Sequence, residues 1–228
     1  MPDTLPGVTP SSLLVDLRGV GVRAGDVPIL RGLDLAVPAG EAVGIYGANG
    51  SGKTTLLRVV ATLQRVAAGT GTVLGTPLDS PTPEVARRRI GYIGHLPQLY
   101  PGLTLEENTA FVARVTGAAL ARVGKVLDAV GLGAVRHRRA EQCSHGMQRR
   151  AEFARVLLLR PDLLLLDEAH AGLDRAAADL VGALVDGVRR RGGGAILVSH
   201  ESGRIDPLVD RGYDLDDGAL SPRREAAP

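Results

Sequence analysis

Gly47-Ala48-Asn49-Gly50-Ser51-Gly52-Lys53-Thr54-Thr55 fits the pattern G-x-x-x-x-G-K-[ST]. Its glycines let the backbone curl until successive N–H groups converge, which makes a nest for anionic oxygens. Lys53 is long enough to reach the outer phosphates of a nucleotide, and the Thr54 hydroxyl suits Mg²⁺. The flanks agree: Glu41 to Tyr46 reads as a short apolar strand, and Thr55 to Val60 as the start of a helix whose N-terminus favours negative charge. A glycine-rich turn that binds nothing has no need of such flanks. The stretch therefore predicts an α/β core that takes a nucleoside triphosphate with Mg²⁺.

The remainder of the chain bounds what surrounds this loop. With 228 residues, 44% of them hydrophobic and 23% charged, it can bury a sizeable core. A net charge of +2 gives no strong pull toward nucleic acid, so no nucleic-acid partner is expected. Lys53 and Lys125 are the only lysines in an Arg-rich chain. The single Cys143 cannot pair internally and reads as a small packed residue in a reducing compartment. Residues 1–11 read as a loose tail without the pattern of a signal peptide. The longest apolar run, Val156 to Leu166, is broken by Arg160-Pro161-Asp162, so no direct membrane insertion is expected.

Periodicity then places the elements. Strand-like stretches cover Leu13 to Leu17, Val20 to Arg23, Ile29 to Val37, Gly69 to Gly75 and Ile90 to Ile93, and the helix of the phosphate loop runs through Gln64. Residues 81–89, ending in Arg87-Arg88-Arg89, read as a solvated helix face. Thr104 caps a helix with Glu106 and Glu107 in its first turn, a second helix covers about 118–130, and a third runs from Gly146 to Leu159. An all-helical insert, about residues 99–160, thus splits an alternating strand–helix core spanning residues 12–220. A helix over 175–191, a buried strand Ala195 to Ser199 and a terminal hairpin follow, before a polar tail over residues 221–228.

Leu163-Leu164-Leu165-Leu166-Asp167-Glu168 carries the second chemical signal. Four apolar residues seat a strand centrally in a sheet buried on both faces, and two carboxylates emerge at its end. Asp167 suits Mg²⁺ held through water, leaving Glu168 to polarise the attacking water as general base. Cys143-Ser144-His145-Gly146-Met147-Gln148-Arg149-Arg150 is the third. On spacing alone, Ser144 and Gly146 make a helix N-cap that could also offer donors to an anion. His200, after a buried strand, reads equally as a packing or a functional histidine.

The order of these signals resembles that of an ATP-binding cassette (ABC) ATPase over about residues 12–220. The resemblance implies a P-loop core carrying an antiparallel β subdomain and an inserted helical subdomain. The family signature Leu-Ser-Gly-Gly-Gln falls on Cys143 to Met147; Ser144 and Gly146 match, while Cys143, His145 and Met147 depart. Ala171-Gly172-Leu173-Asp174 is similar to the D-loop, with Asp174 at a dimer seam, and Ala169 replaces the usual proline after the catalytic glutamate. Ser199-His200-Glu201 is similar to the switch loop, where His200 would contact the γ-phosphate and hold the attacking water. The implied assembly is two copies head to tail, each P-loop facing the other's Ser144–Gly146 turn across ATP, coupled to a transmembrane permease at the cytoplasmic face of a bacterial membrane.

Two accessories depart from the family. In the Q-loop, Pro97-Gln98 imitates the usual pair, but by distance to Leu103-Thr104 it is His95 that occupies the slot, so His95 or Gln98 reaches the metal or the water. No aromatic residue stands near Val22-Arg23-Ala24-Gly25 to stack on adenine, which leaves Arg23 with its planar guanidinium. Ile93-Gly94-His95-Leu96-Pro97 and the short Leu-Thr-Leu-Glu-Glu-Asn insert most resemble the haem-exporter ATPase of cytochrome c maturation. The Ser-His-Gly-Met turn is shared with ABC-2 type drug and antibiotic exporters. A non-transport cassette acting on DNA or ribosomes fits less well, because the chain lacks a coiled-coil insertion and a second cassette.

Overall fold

Residues 13–168 and 175–223 are described by the computed structural model of the protein. The D-loop, Asp174 included, lies outside them.

The chain starts with two long antiparallel strands, β1 (Leu13–Ala24) and β2 (Val27–Pro38), then β3 (Ala42–Tyr46) and α1 (Lys53–Val60). Next come β4 (Ala68–Val73), β5 (Thr76–Pro77), the one-turn α2 (Glu84–Arg87) and β6 (Ile90–Ile93). Three helices follow: α3 (Leu105–Thr116), α4 (Val123–Ala129) and α5 (His145–Leu159). The chain closes with β7 (Leu163–Asp167), α6 (Arg175–Arg189), β8 (Gly194–Ser199), α7 (Ser202–Ile205), β9 (Arg211–Asp216) and β10 (Ala219–Pro222).

These strands form two sheets. One is antiparallel, ordered β2-β1-β4-β5; the other is β10-β9-β3-β8-β7-β6, parallel from β9 to β6 with β10 antiparallel at its edge. This mixed α/β architecture, with an antiparallel β sheet and a helical lobe, is the one the resemblance implied.

Strand alternation decides which core each residue joins. Val43, Ile45, Leu163, Leu165, Ile196 and Val198 face α1 and the antiparallel sheet. Ala42, Tyr46, Leu164, Leu166, Ala195 and Leu197 face the helical lobe and α6. All four leucines of β7 have no exposed surface, and burying each contributes about 1.5–3 kcal/mol. By the same alternation Asp167 falls on the side of Leu163 and Leu165, toward α1.

Several boundaries differ from the sequence reading. Helix α1 stops at Val60 instead of Gln64, because Thr62 adopts a left-handed φ of 57° and the following N–H groups turn back to Val59 and Arg58. The helix expected over 118–130 begins as a 3-10 turn, Leu120–Arg122, after Gly117 ends α3 with φ 75°. The arginines at 87–89 are exposed, as expected, and two of them also make specific contacts. Arg87 donates to the Thr62 hydroxyl and carbonyl, and Arg89 pairs with Asp162 at 2.6 Å, tying the loop before β6 to its surroundings. At the C-terminus β10 continues through Ser221 to Pro222, past the expected start of the tail. Arg223 is ordered as well, its guanidinium 4.0 Å from the ring centre of Tyr46.

Candidate active site

The P-loop leaves the end of β3 and enters α1 at Lys53. Two of its glycines are irreplaceable on local grounds. A Cβ at Gly47 would lie 2.3 Å from the Leu215 carbonyl oxygen, and Gly52 combines φ 108° with Leu30 Cδ2 at 2.9 Å. Lys53, 6% exposed, donates through Nζ to the carbonyls of Gly47 (2.7 Å) and Ala48 (2.8 Å). Burial lowers its pKa, and the charges of Glu168 and Asp167 work against that shift.

β7 delivers the two carboxylates. Asp167 is 2% exposed, and Tyr92 Oη donates to its Oδ2 at 3.3 Å. Burial first, then the Asp167 charge, pushes the Tyr92 phenol up to about 12, so it stays a donor at physiological pH. Glu168 sits at φ 52°, a conformation that a non-glycine residue adopts under constraint. The constraint is visible: Oε1 accepts from the His200 N–H at 2.9 Å, and Oε2 lies 2.9 Å from His200 Nδ1. His200 comes off the end of β8, the neighbour of β7, so adjacent parallel strands bring together residues 32 apart in sequence.

One cleft of about 500 Å³ is lined by Asn49, Gly50, Gly52, Lys53, Thr54, Thr55, Asp167, Glu168, His200, His95 and Ile29. His95 thus stands in the same cleft as the carboxylates. Gln98 lines a different depression, with Tyr100, Phe111 and Arg155. Arg23 is absent from the cleft wall and donates to the Asp26 carbonyl within its own hairpin; Ile29 of β2 takes the place beside Gly52. Among the described residues no group of three or more His, Cys, Asp or Glu could cage a metal. The Thr54 hydroxyl and the buried Asp167 carboxylate in this cleft fit Mg²⁺, which keeps waters and takes phosphate oxygens.

Ser144 and Gly146 stand apart from this cleft. Ser144 is the exposed N-cap of α5, its Oγ accepting from Met147 N at 3.3 Å, and the space around Gly146 is open. Cys143 is buried, its Sγ 3.3 Å from the Arg139 carbonyl, as expected of a packed thiol.

The sequence reading missed an ion pair one helical turn further on. Arg149 and Glu152 are 1% and 2% exposed, with Nη1 to Oε2 at 2.9 Å. Arg149 also donates to the carbonyls of Gly94 (2.6 Å) and His95 (2.7 Å), and Glu152 Oε1 accepts from Gln98 N (2.8 Å). The signature helix therefore grips the backbone of the loop that carries His95. The signal available was opposite charge at i, i+3 on a helix otherwise apolar on that side.

Comparison with known proteins supplies the family. The ABC transporter family matches residues 30–171. The chain is 39% identical over 208 residues to the daunorubicin/doxorubicin resistance ATP-binding protein DrrA of Streptomyces peucetius, covering 88% of itself and 60% of that protein's length. It is 40% identical over 180 residues to the cytochrome c biogenesis ATP-binding export protein CcmA of Cupriavidus necator, 78% of each chain. Its fold superposes with TM-score 0.83 on the ATP-binding cassette MJ0796, solved as a dimer in a post-hydrolysis state with ADP and Pi. That match covers 94% of this chain and 100% of the other at 24% identity. This chain belongs to the ABC transporter family, as an ATP-binding subunit.

Proposed function

We propose that this chain hydrolyses MgATP as one half of a head-to-tail dimer and so drives export through a separate membrane subunit. The observation that carries the hydrolytic part is the Glu168 carboxylate, gripped by His200 in the cleft that also holds Lys53, Thr54 and Asp167. The P-loop N–H groups and Lys53 bind the phosphates. Glu168 takes a proton from the attacking water, and His200, already aligned by that carboxylate, steadies the water and the γ-phosphate. Mg²⁺, when bound through Thr54 and Asp167, neutralises charge on the phosphate oxygens. His95 is the Q-loop side chain in reach of this chemistry.

The dimer is inferred from what one chain leaves undone. Ser144 and Gly146 offer a hydroxyl and a helix N-terminus at an exposed turn outside their own cleft, as a partner's γ-phosphate would require. MJ0796, which shares the fold, was solved as a dimer bound to ADP and Pi. The membrane subunit docks where Leu96, Tyr100 and Phe111 are exposed beside the Gln98 depression, next to the clamped loop. Among the described residues no helix is long and apolar enough to cross a membrane; the subunit is read as peripheral, at the cytoplasmic face, from its family.

For the cargo we favour haem export in cytochrome c maturation. The similarity to CcmA over 78% of both chains supports that reading, together with the Ile93-Gly94-His95-Leu96-Pro97 segment. Export of a drug or antibiotic is the second reading, favoured by the similarity to DrrA and the Ser144-His145-Gly146-Met147 turn. Glu168→Gln tests the enzyme: ATP binding should persist, turnover should fall about 10²–10⁴-fold and a dimer should accumulate with ATP. Wild-type turnover in that variant would refute Glu168 as the base. Co-purification from detergent-solubilised membranes, followed by assay of haem and drug efflux, separates the cargoes.

A further inference from the structure

Tyr46 ends β3 and precedes Gly47, so it stands at the root of the phosphate loop without lining the cleft. It is 5% exposed, and its Oη donates to Asp206 Oδ1 at 2.6 Å, across 160 positions of sequence. Strand pairing sets it level with Ser199 of β8 on one side and Asp214 of β9 on the other. Its ring folds back over two glycines that are register partners, Gly44 and Gly212. A Cβ at Gly44 would come 2.9 Å from the ring, and one at Gly212 3.0 Å, so the slot has no room for an added methyl. Arg223 lies over the same ring, and its N–H donates to the Gly212 carbonyl at 2.9 Å. Burial first, then the bond to Asp206, raises the pKa of the phenol, so it remains a donor.

What this hydroxyl holds is the far end of the segment that carries His200. The segment leaves β8 at Ser199, whose Oγ accepts from the Glu201 N–H at 2.9 Å and closes the turn. It runs on through α7 to Ile205, which is fully buried, and Asp206. Between these ends the His200 side chain is 44% exposed, so packing does little to aim it. Its aim depends on where the backbone presents it, and that same backbone donates the His200 N–H to Glu168 Oε1. A hydrogen bond to a carboxylate is about twice as strong as one between neutral groups. This one fastens the segment to β3, a strand paired on both edges.

We propose that Tyr46 is a positioning residue for hydrolysis: by holding Asp206 it keeps the switch segment where His200 meets Glu168 and the attacking water. This rests on the reading of His200 as the residue that steadies that water. The bond joins the root of the phosphate loop to the switch segment, so the two sides of the γ-phosphate site keep one spacing.

The test compares Tyr46→Phe, Asp206→Ala and Asp206→Asn with the unaltered full-length chain. Tyr46→Phe keeps the ring under Arg223 and loses only the hydroxyl, and Asp206 is exposed, so its replacement spares the core. Tyr46→Phe and Asp206→Ala should each lower kcat about 10-fold, within the about 10²-fold that a 1 Å misplacement can cost. Competition binding of ATP should stay within about twofold, because Lys53 and the loop N–H groups are untouched. Asp206→Asn keeps an acceptor for the phenol and should recover most of the turnover that Asp206→Ala loses. Hydrogen exchange of the nucleotide-free proteins reads the same effect without activity. The His200 N–H should lose protection about 10-fold in Tyr46→Phe and Asp206→Ala, with β3 and β8 unchanged. In a His200→Ala background, Tyr46→Phe should cost less than about twofold more. Parental turnover and parental His200 exchange in Tyr46→Phe would overturn the proposal, as would an Asp206→Asn variant no better than Asp206→Ala. A loss of ATP affinity in step with turnover would overturn it too, by moving the effect to the phosphate loop. Full turnover in His200→Ala itself would sink the reading of His200, a result distinct from all of these.

Discussion

Replacing Arg149 by Met should cost the folded state about 3–5 kcal/mol, because Glu152, 2% exposed, would lose its closest cation and keep only Arg155, at 3.6 Å, and the Gln98 N–H. For a chain of this size that is a fall in Tm of about 6–20 °C. The loss should lie toward the lower end. Burial already raises the Glu152 pKa, against the Gln98 N–H and Arg149, so without Arg149 the carboxyl relieves itself by taking a proton. Arg149→Met with Glu152→Leu removes both charges, and stability should return to within about 2 kcal/mol of the parent. The loop carbonyls of Gly94 and His95 then face an apolar helix, and His95 loses its fixed backbone. Thermal unfolding of the parent, both single variants and the double gives the coupling energy, expected above about 2 kcal/mol. ATP turnover measured on the same four proteins should fall at least tenfold in the double variant although its stability has recovered. Additive losses, or a double variant with parental turnover, would show that the pair neither acts as a unit nor positions the loop.

Three further outcomes follow from the site. His95→Ala should lower hydrolysis markedly and Gln98→Ala little, because only His95 lines the cleft; the reverse order in a turnover assay would move the Q-loop role to Gln98. Tyr92→Phe removes the hydroxyl that orients Asp167, so the Mg²⁺ concentration giving half-maximal turnover should rise about 10-fold or more, as for a lost partner of a metal-ligating carboxylate. An unchanged Mg²⁺ titration would dismiss the contact. Lys53 has a folded pKa below its ordinary 10.5, so the folded state binds fewer protons than the unfolded one between the two values. Stability should therefore rise with pH across that alkaline window. The rise should be missing from Lys53→Met in urea unfolding of the nucleotide-free proteins, and equal slopes for both would contradict it.

What could be read from the residues alone were the features whose cause is local. The P-loop, the leucine run of β7 and the Thr104 cap announce themselves through spacing within a few positions, and each was found where spacing put it. The Thr104 cap proved to be a full capping box with Glu107. Contacts made by tertiary packing left no such mark. Glu168 and His200 are 32 positions apart, Arg149 reaches back across 54 to 55, and Ile29 meets the P-loop only because β2 folds over it. Thr62 ends α1 although nothing in its type marks a helix stop, since left-handed backbone at a β-branched residue is uncommon. Which of His95 and Gln98 lines the cleft is likewise a matter of which way a loop turns, and that loop's backbone is bonded to an ion pair on another helix.

The alternation along β7 bears on which sequence changes the cassette can absorb. Leu163 to Leu166 serve two cores by turns, so one hydrophobic residue of similar volume can replace another there with modest loss. Removing one residue from the run is a different matter. It would swing Asp167 toward the helical lobe and bring Glu168 round to the P-loop in its place, exchanging the metal carboxylate and the base. The strand therefore works as a ruler. Its length, counted in residues from the bottom of the sheet, is the quantity on which the catalytic geometry depends.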